Sequence, residues 1–285
     1  MVTSVIDVAD IYFSYGKVEA VRGISFSMAR GEILGFLGPN GAGKSTTIKM
    51  LTGQLSPRSG SVSILGKNLV RDDPEIQGRI GVCFEEKNLY VNMSARENLR
   101  FFAGLFGIRN FNPDLLLKRV SLIDRADDRV SSYSKGMRQR LMVARSIVND
   151  PEVLFLDEPT EGLDPVSSKS IRELILEQAR KGTAVLLTTH DMWEADELSD
   201  RVVFLCEGRI HAMDTPDELK MKYGHRTVRV KLRDGETVRR EIISLDSPDA
   251  GEKLKQIVEN EGLMTIHTEE ASLEDIFIKI TGRGL

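Results

Sequence analysis

Gly38-Pro39-Asn40-Gly41-Ala42-Gly43-Lys44-Ser45-Thr46 fits the phosphate-binding pattern G-x-x-x-x-G-K-[ST] from Gly38 to Ser45. Before it, Ile33 to Leu37 is a short apolar run of strand type. After it, Thr47-Ile48-Lys49-Met50-Leu51 continues as a helix. A strand, a glycine loop and a helix start together make an anion site. Backbone N–H groups converge there, and the positive end of the helix favours negative charge. The glycines permit backbone conformations closed to residues with a Cβ. In this pattern Lys44 reaches the β- and γ-phosphates of a nucleotide, and the Ser45 hydroxyl ligates Mg²⁺.

Outward from the loop, the texture is that of an α/β protein. Val5 to Phe13, Gly23 to Met28, Ser61 to Leu65 and Ile80 to Phe84 read as strands. From Ser94 to Ile147 the chain is mostly helical. That block opens on a capping box, with Ser94 as N-cap and Glu97 at N3. Helices over Asp114–Ile123 and Gly136–Val148 follow, the last stopped by Pro151. Strands then resume at Val153–Leu156, Ala184–Leu187 and Arg201–Cys206, separated by helices over Val166–Arg180 and Met192–Leu198. Strands alternating with helices, with the phosphate loop at a strand's C-terminal end, predict a mostly parallel sheet. The helical stretch reads as an insert in that core, over about residues 86–150.

A boundary is expected near Tyr223-Gly224, giving domains 1–224 and 225–285. Beyond it, Thr227–Leu232 and Thr237–Ile243 read as a hairpin around Asp234-Gly235. Helices over Gly251–Asn260 and Ser272–Thr281 flank a strand at Met264–Thr268, so the tail is a small α+β domain.

Composition narrows the class. Of 285 residues, 41% are hydrophobic and 29% charged, which suits a globular chain. A net charge of −4 gives no basic footprint, so no nucleic-acid partner is expected. No apolar run approaches the ~20 residues that span a bilayer. Met1-Val2-Thr3-Ser4 shows no signal-peptide pattern, and a cytoplasmic chain is expected. Cys83 and Cys206 lie far apart within apolar runs, and read as buried reduced thiols.

Further carboxylates and polar residues fall at strand ends. Asp157 and Glu158 follow four apolar residues. A carboxylate there can hold Mg²⁺, which suits Asp157, and a second can orient or deprotonate water, which suits Glu158. Tyr15, an aromatic ahead of the loop, can stack on a base or pack on its own sheet.

The ordered set of these stretches resembles the nucleotide-binding subunit of ATP-binding-cassette (ABC) transporters, over roughly residues 3 to 222. Tyr133-Ser134-Lys135-Gly136-Met137-Arg138-Gln139-Arg140-Leu141 resembles the family signature, usually L-S-G-G-Q. Asp157-Glu158-Pro159-Thr160 is the expected sequence after the apolar strand, and Gly162-Leu163-Asp164-Pro165 matches the D-loop. His190 after Thr188-Thr189 matches the switch histidine, Tyr15 the adenine-stacking aromatic, and Glu85 falls where glutamine is usual.

The resemblance implies a P-loop NTPase core with N-terminal antiparallel strands, and ATP with Mg²⁺ as cofactors. It implies catalytic roles for Glu158, His190 and Lys44, with metal held by Ser45, Asp157 and Glu85. It also implies a head-to-tail pair of subunits. Each ATP would lie between one subunit's Gly38–Ser45 loop and the Ser134, Lys135 and Gly136 of the other. Asp164 would cap its helix and also contact the partner's loop. Lys135 and Met137 in the signature, Glu85, and Glu161 beside the D-loop depart from the usual pattern.

Two more stretches, Gly208–Leu219 and Ser272–Phe277, look like ATPases of ABC-2 type exporters, which work with a separate membrane permease. Those residues imply an export ATPase, held at the inner face of the cell membrane by that permease. A soluble mechanical switch and an import ATPase are the alternative readings.

Overall fold

The computed structural model describes residues 4–69, 73–84, 88–225, 227–234, 237–259, 262–269 and 271–284. Glu85 lies outside them, as does Gly235 of the expected hairpin turn. The chain divides into two compact units at Met213/Asp214.

The first unit opens with β1 (Ser4–Tyr15) and β2 (Val18–Ala29), then β3 (Ile33–Leu37) and helix α1 (Lys44–Leu51). After them come β4 (Ser59–Ile64), β5 (Lys67–Asn68), α2 (Pro74–Gln77) and β6 (Ile80–Cys83). The helical block is α3 (Ala95–Leu105), α4 (Pro113–Arg119) and α5 (Lys135–Ser146), with short 3-10 turns between α4 and α5. The rest is β7 (Val153–Asp157), α6 (Pro165–Arg180), β8 (Ala184–Thr189), α7 (Met192–Leu198), β9 (Arg201–Cys206) and β10 (Arg209–Asp214). The second unit holds α8 (Pro216–Tyr223), β11 (Thr227–Asp234), β12 (Thr237–Ser244), α9 (Ala250–Val258), β13 (Leu263–Glu269) and α10 (Leu273–Thr281).

Two sheets build the first unit. One is four-stranded, in the order β2-β1-β4-β5, and its pairs are antiparallel. The other is six-stranded, in the order β10-β9-β3-β8-β7-β6, and β9, β3, β8, β7 and β6 run parallel. Its central strands are buried on both faces, which is why they read as unbroken apolar runs. Their side chains alternate between two cores. Val153, Phe155, Ala184 and Leu186 pack toward α1 and the antiparallel sheet. Leu154, Leu156, Val185 and Leu187 pack toward α5, α6 and the insert. Helix α5 approaches β6 closely: a Cβ on Gly81 would lie 1.9 Å from the Ser146 carbonyl oxygen.

In the second unit the sheet order is β12-β11-β13, antiparallel throughout. Val228, Val230, Ile243, Ala250 and Ile257 form its core. Helix α8 packs with α10 and belongs to this unit, although a boundary at Gly224 would leave it with the first.

Candidate active site

Parallel pairing does the positioning. In register, Leu37 of β3 stands beside Thr189 of β8, and Asp157 of β7 beside Thr188. Each strand therefore delivers the residue that follows it to the same sheet edge. Those residues are Gly38, His190 and Glu158.

The glycine loop leaves β3 under tight steric constraint. A Cβ at Gly38 would stand 2.0 Å from the Leu205 carbonyl oxygen, and one at Gly43 would stand 2.6 Å from that of Ala20. Gly43 is also the α1 N-cap, with φ +107 and no capping side chain. The first N–H groups of α1 stay available to an anion. Lys44 is buried, with Nζ 2.5 Å from the Gly38 carbonyl and 3.6 Å from Glu158 Oε1. Its ammonium is thus set between the loop and the acidic strand end.

Glu158 sits in the left-handed region, with φ +49. Such a conformation costs on the order of 1–3 kcal/mol and needs external support. Its N–H donates to the Thr188 carbonyl and hydroxyl, at 3.2 and 3.1 Å. Gln139 of α5, itself buried, donates from Nε2 to the Glu158 and Pro159 carbonyls. The turn so fixed points Glu158 Oε2 at His190 Nδ1, 3.0 Å away. Asp157 is buried, and its Oδ1 accepts a 2.5 Å bond from the Thr188 hydroxyl.

An open cavity of about 590 Å³ gathers Tyr15, Pro39–Thr46, Glu158 and His190, with Val18–Ala20 and Glu161 completing the wall. The Tyr15 ring meets Phe13 edge-on at 4.9 Å, and it is half exposed at the cavity. Asp157 does not line the cavity. Ser134, Lys135, Gly136 and Asp164 do not line it either. Ser134 caps α5 by accepting from the Met137 N–H at 3.2 Å. Asp164 caps α6 by accepting from the Val166 and Ser167 N–H groups, and the Ser167 hydrogen bonds hold its carboxyl below the usual range. Among the described residues, no group of three or more His, Cys, Asp and Glu side chains is placed to hold a metal ion by itself. The oxygen donors at hand, the Ser45 hydroxyl and the Asp157 carboxylate, are of the hard type that suits Mg²⁺ completed by phosphate oxygens.

The contacts of Gln139 and Thr188 escape a reading of motifs. The Thr-Thr before His190 and the glutamine inside the signature stretch were the available signals. What each one touches is set by tertiary packing.

A phosphate loop, a strand-end glutamate and a histidine on one edge of a parallel sheet define a P-loop ATPase site. Residues 21–161 match the ABC transporter family model. A fluoroquinolones export ATP-binding protein of Mycobacterium tuberculosis is 46% identical over 286 residues, covering 99% of this chain and 95% of that protein. The Nod factor export ATP-binding protein I of Paraburkholderia xenovorans is 37% identical, covering 95% of each. A solved ATP-binding subunit of an ABC transporter superposes with a TM-score of 0.71 at 33% identity, covering 77% of this chain and 93% of that one. A dimeric ATP-binding cassette in a post-hydrolysis state with ADP and Pi gives 0.66 at 25% identity, covering 74% and 98%. The chain belongs to the ABC transporter family. Within it, this is an ATP-hydrolysing subunit of an exporter, which sets aside the import reading.

Proposed function

We propose that the chain hydrolyses MgATP between two copies of itself and drives export through a separate permease of the ABC-2 type. The observation that carries the chemistry is the meeting of Lys44, Glu158 and His190 at the wall of one cavity. Gly38–Thr46 hold the phosphates through backbone N–H groups, and Tyr15 stacks on the base. Ser45 and Asp157 hold Mg²⁺, which neutralises phosphate charge when bound; Glu85 is the expected third ligand. Glu158 orients the attacking water or accepts its proton. His190 contacts the γ-phosphate, and its Nδ1 contact with Glu158 keeps both groups in place.

Ser134, Lys135 and Gly136 serve the partner copy's ATP. Their position outside their own chain's cavity supports this reading, as does the dimeric state of the ADP-bound relative. No helix among the described residues is long and apolar enough to cross a membrane. Attachment at the inner face of the membrane therefore falls to the permease. Cargo follows the permease; the fluoroquinolone, Nod factor and bacitracin named for relatives make small organic export substrates the class to test.

Glu158→Gln tests the chemistry. It keeps shape and nucleotide affinity but removes the base, and turnover is expected to fall by ~10²-fold or more. Wild-type turnover by this variant in a steady-state ATPase assay would remove Glu158 from its role.

A further inference from the structure

Glu194 lies on α7, outside the cavity wall, and only 1% of it is exposed. Burying a carboxyl is unfavourable, so its surroundings call for a reason. Its Oε2 accepts two hydroxyl hydrogen bonds, from Thr160 at 2.8 Å and from Thr189 at 3.1 Å. Its Oε1 is buried with no hydrogen-bond partner. Burial pushes the carboxyl up from its ordinary range, against the two threonine bonds.

The two threonines come from different functional turns. Thr160 is two residues past Glu158, and Thr189 immediately precedes His190. Residue pairing of β7 with β8 ends at Asp157 and Thr188, and the Glu158 N–H donates the closing backbone bond to the Thr188 carbonyl. The Glu158···His190 contact therefore lies just beyond the end of the ladder. His190 is more than half exposed, so packing does little to hold its ring. Thr160–Glu194–Thr189 is a side-chain bridge across this gap. Asp191 completes it: its N–H donates to the Thr189 hydroxyl at 3.0 Å, and its carboxylate caps α7 at the N–H groups of Trp193 and Glu194.

We infer that Glu194 is a positioning residue, which fastens the Glu158 turn to the His190 turn where the backbone ladder stops. It does not line the cavity. It acts by keeping the carboxylate and the imidazole at their working separation. A side chain that only filled the core would be served as well by leucine, without an unpaired oxygen. The inference rests on the roles proposed for Glu158 and His190.

The test compares Glu194→Gln, Glu194→Ala, Thr160→Val, Thr189→Val and Glu158→Gln in the full chain, by ATP turnover and by nucleotide affinity. Glutamine retains an acceptor oxygen for both hydroxyls, so most of kcat is expected to return with it. Alanine should lower kcat by roughly 10- to 100-fold, the scale on which small misplacements act, with ATP affinity held within about threefold. In Glu194→Ala, adding either threonine change should cost little more, because the three side chains work as one unit. Alanine turning over like wild type would overturn the inference, as would glutamine failing as badly as alanine. Multiplying losses in the combined variants would overturn it too. If alanine prevents folding, the two valine variants carry the test by the same kcat-against-affinity comparison. Wild-type turnover by Glu158→Gln would instead mark failure of the underlying assignment.

Discussion

Lys135 and Glu161 both depart from the usual family pattern, and in the fold they meet. Lys135 Nζ lies 3.3 Å from Glu161 Oε1. The negative charge added beside the D-loop is thus met by the positive charge added in the signature. Exposed pairs of this kind add little stability, so the consequence is local charge and side-chain placement. Gly162, with φ +69, lies against the Lys135 stem, whose Cε is 3.4 Å from where a Cβ would stand, an ordinary contact distance. Each departure is visible in the sequence; their pairing is not, because they sit 26 residues apart. The same holds for Gln139 with Pro159 and for Glu194 with Thr160, separated by 20 and 34 residues. The cysteines were easier to read, since an apolar run signals burial by itself. Both are free and buried, and burial pushes the Cys83 thiol up to about 12. Only the thiolate reacts. Maleimide labelling at pH 8 should leave both thiols unmodified in the folded protein and modify both after denaturation. Rapid native labelling of Cys83 would contradict its buried place beneath the insert.

At the scale of elements, strong signals were legible and weak ones were not. Strand β3 and helix α7 fall at the expected residues, because apolar run and turn chemistry agree there. The capping box at Ser94 forms in both directions. Strand β5 has two residues, both exposed, so no apolar pattern marks it. Strand β10, on the sheet edge, mixes charged and apolar residues and gives no clean alternation. Helix α8 did carry a signal: Thr215 caps it, Pro216 follows, and two acidic residues fill its first turn.

Helix α3 raises the question of what covers its aromatic side chains. Tyr90 meets Phe101 edge-on at 4.8 Å, and Phe101 meets Phe102 at 5.7 Å. Beneath them, Arg145 of α5 lies 4.7 Å from the Phe102 ring centre and donates to the Asn88 carbonyl and side chain. Asn98 fixes the Tyr90 backbone from both sides, yet the Tyr90 side chain stays 48% exposed. A rigidly held, exposed aromatic suits a protein interface. Tyr90→Ser should weaken co-purification with the permease while leaving ATP affinity unchanged. Undiminished permease binding by folded Tyr90, Phe101 and Phe102 variants would place the docking surface elsewhere.

At the scale of the whole molecule, the fold class followed from the order of strands and helices, while the division of the chain at Met213/Asp214 needed the contacts themselves. One chain supplies a phosphate loop, an acidic strand end and a histidine around one cavity, with the capped start of α5 outside it. A head-to-tail pair would give that start a nucleotide to meet. Mixing two variants tests this most directly. Lys44→Ala damages a loop, and Ser134→Arg damages a signature; each homodimer carries a lesion in both composite sites. In the mixed dimer, one site takes both lesions and the other takes none. ATP binding and turnover measured on the isolated mixed dimer should recover one intact site, well above either parent. A mixed dimer no more active than its parents would mean that each signature serves its own chain, and would contradict the composite site.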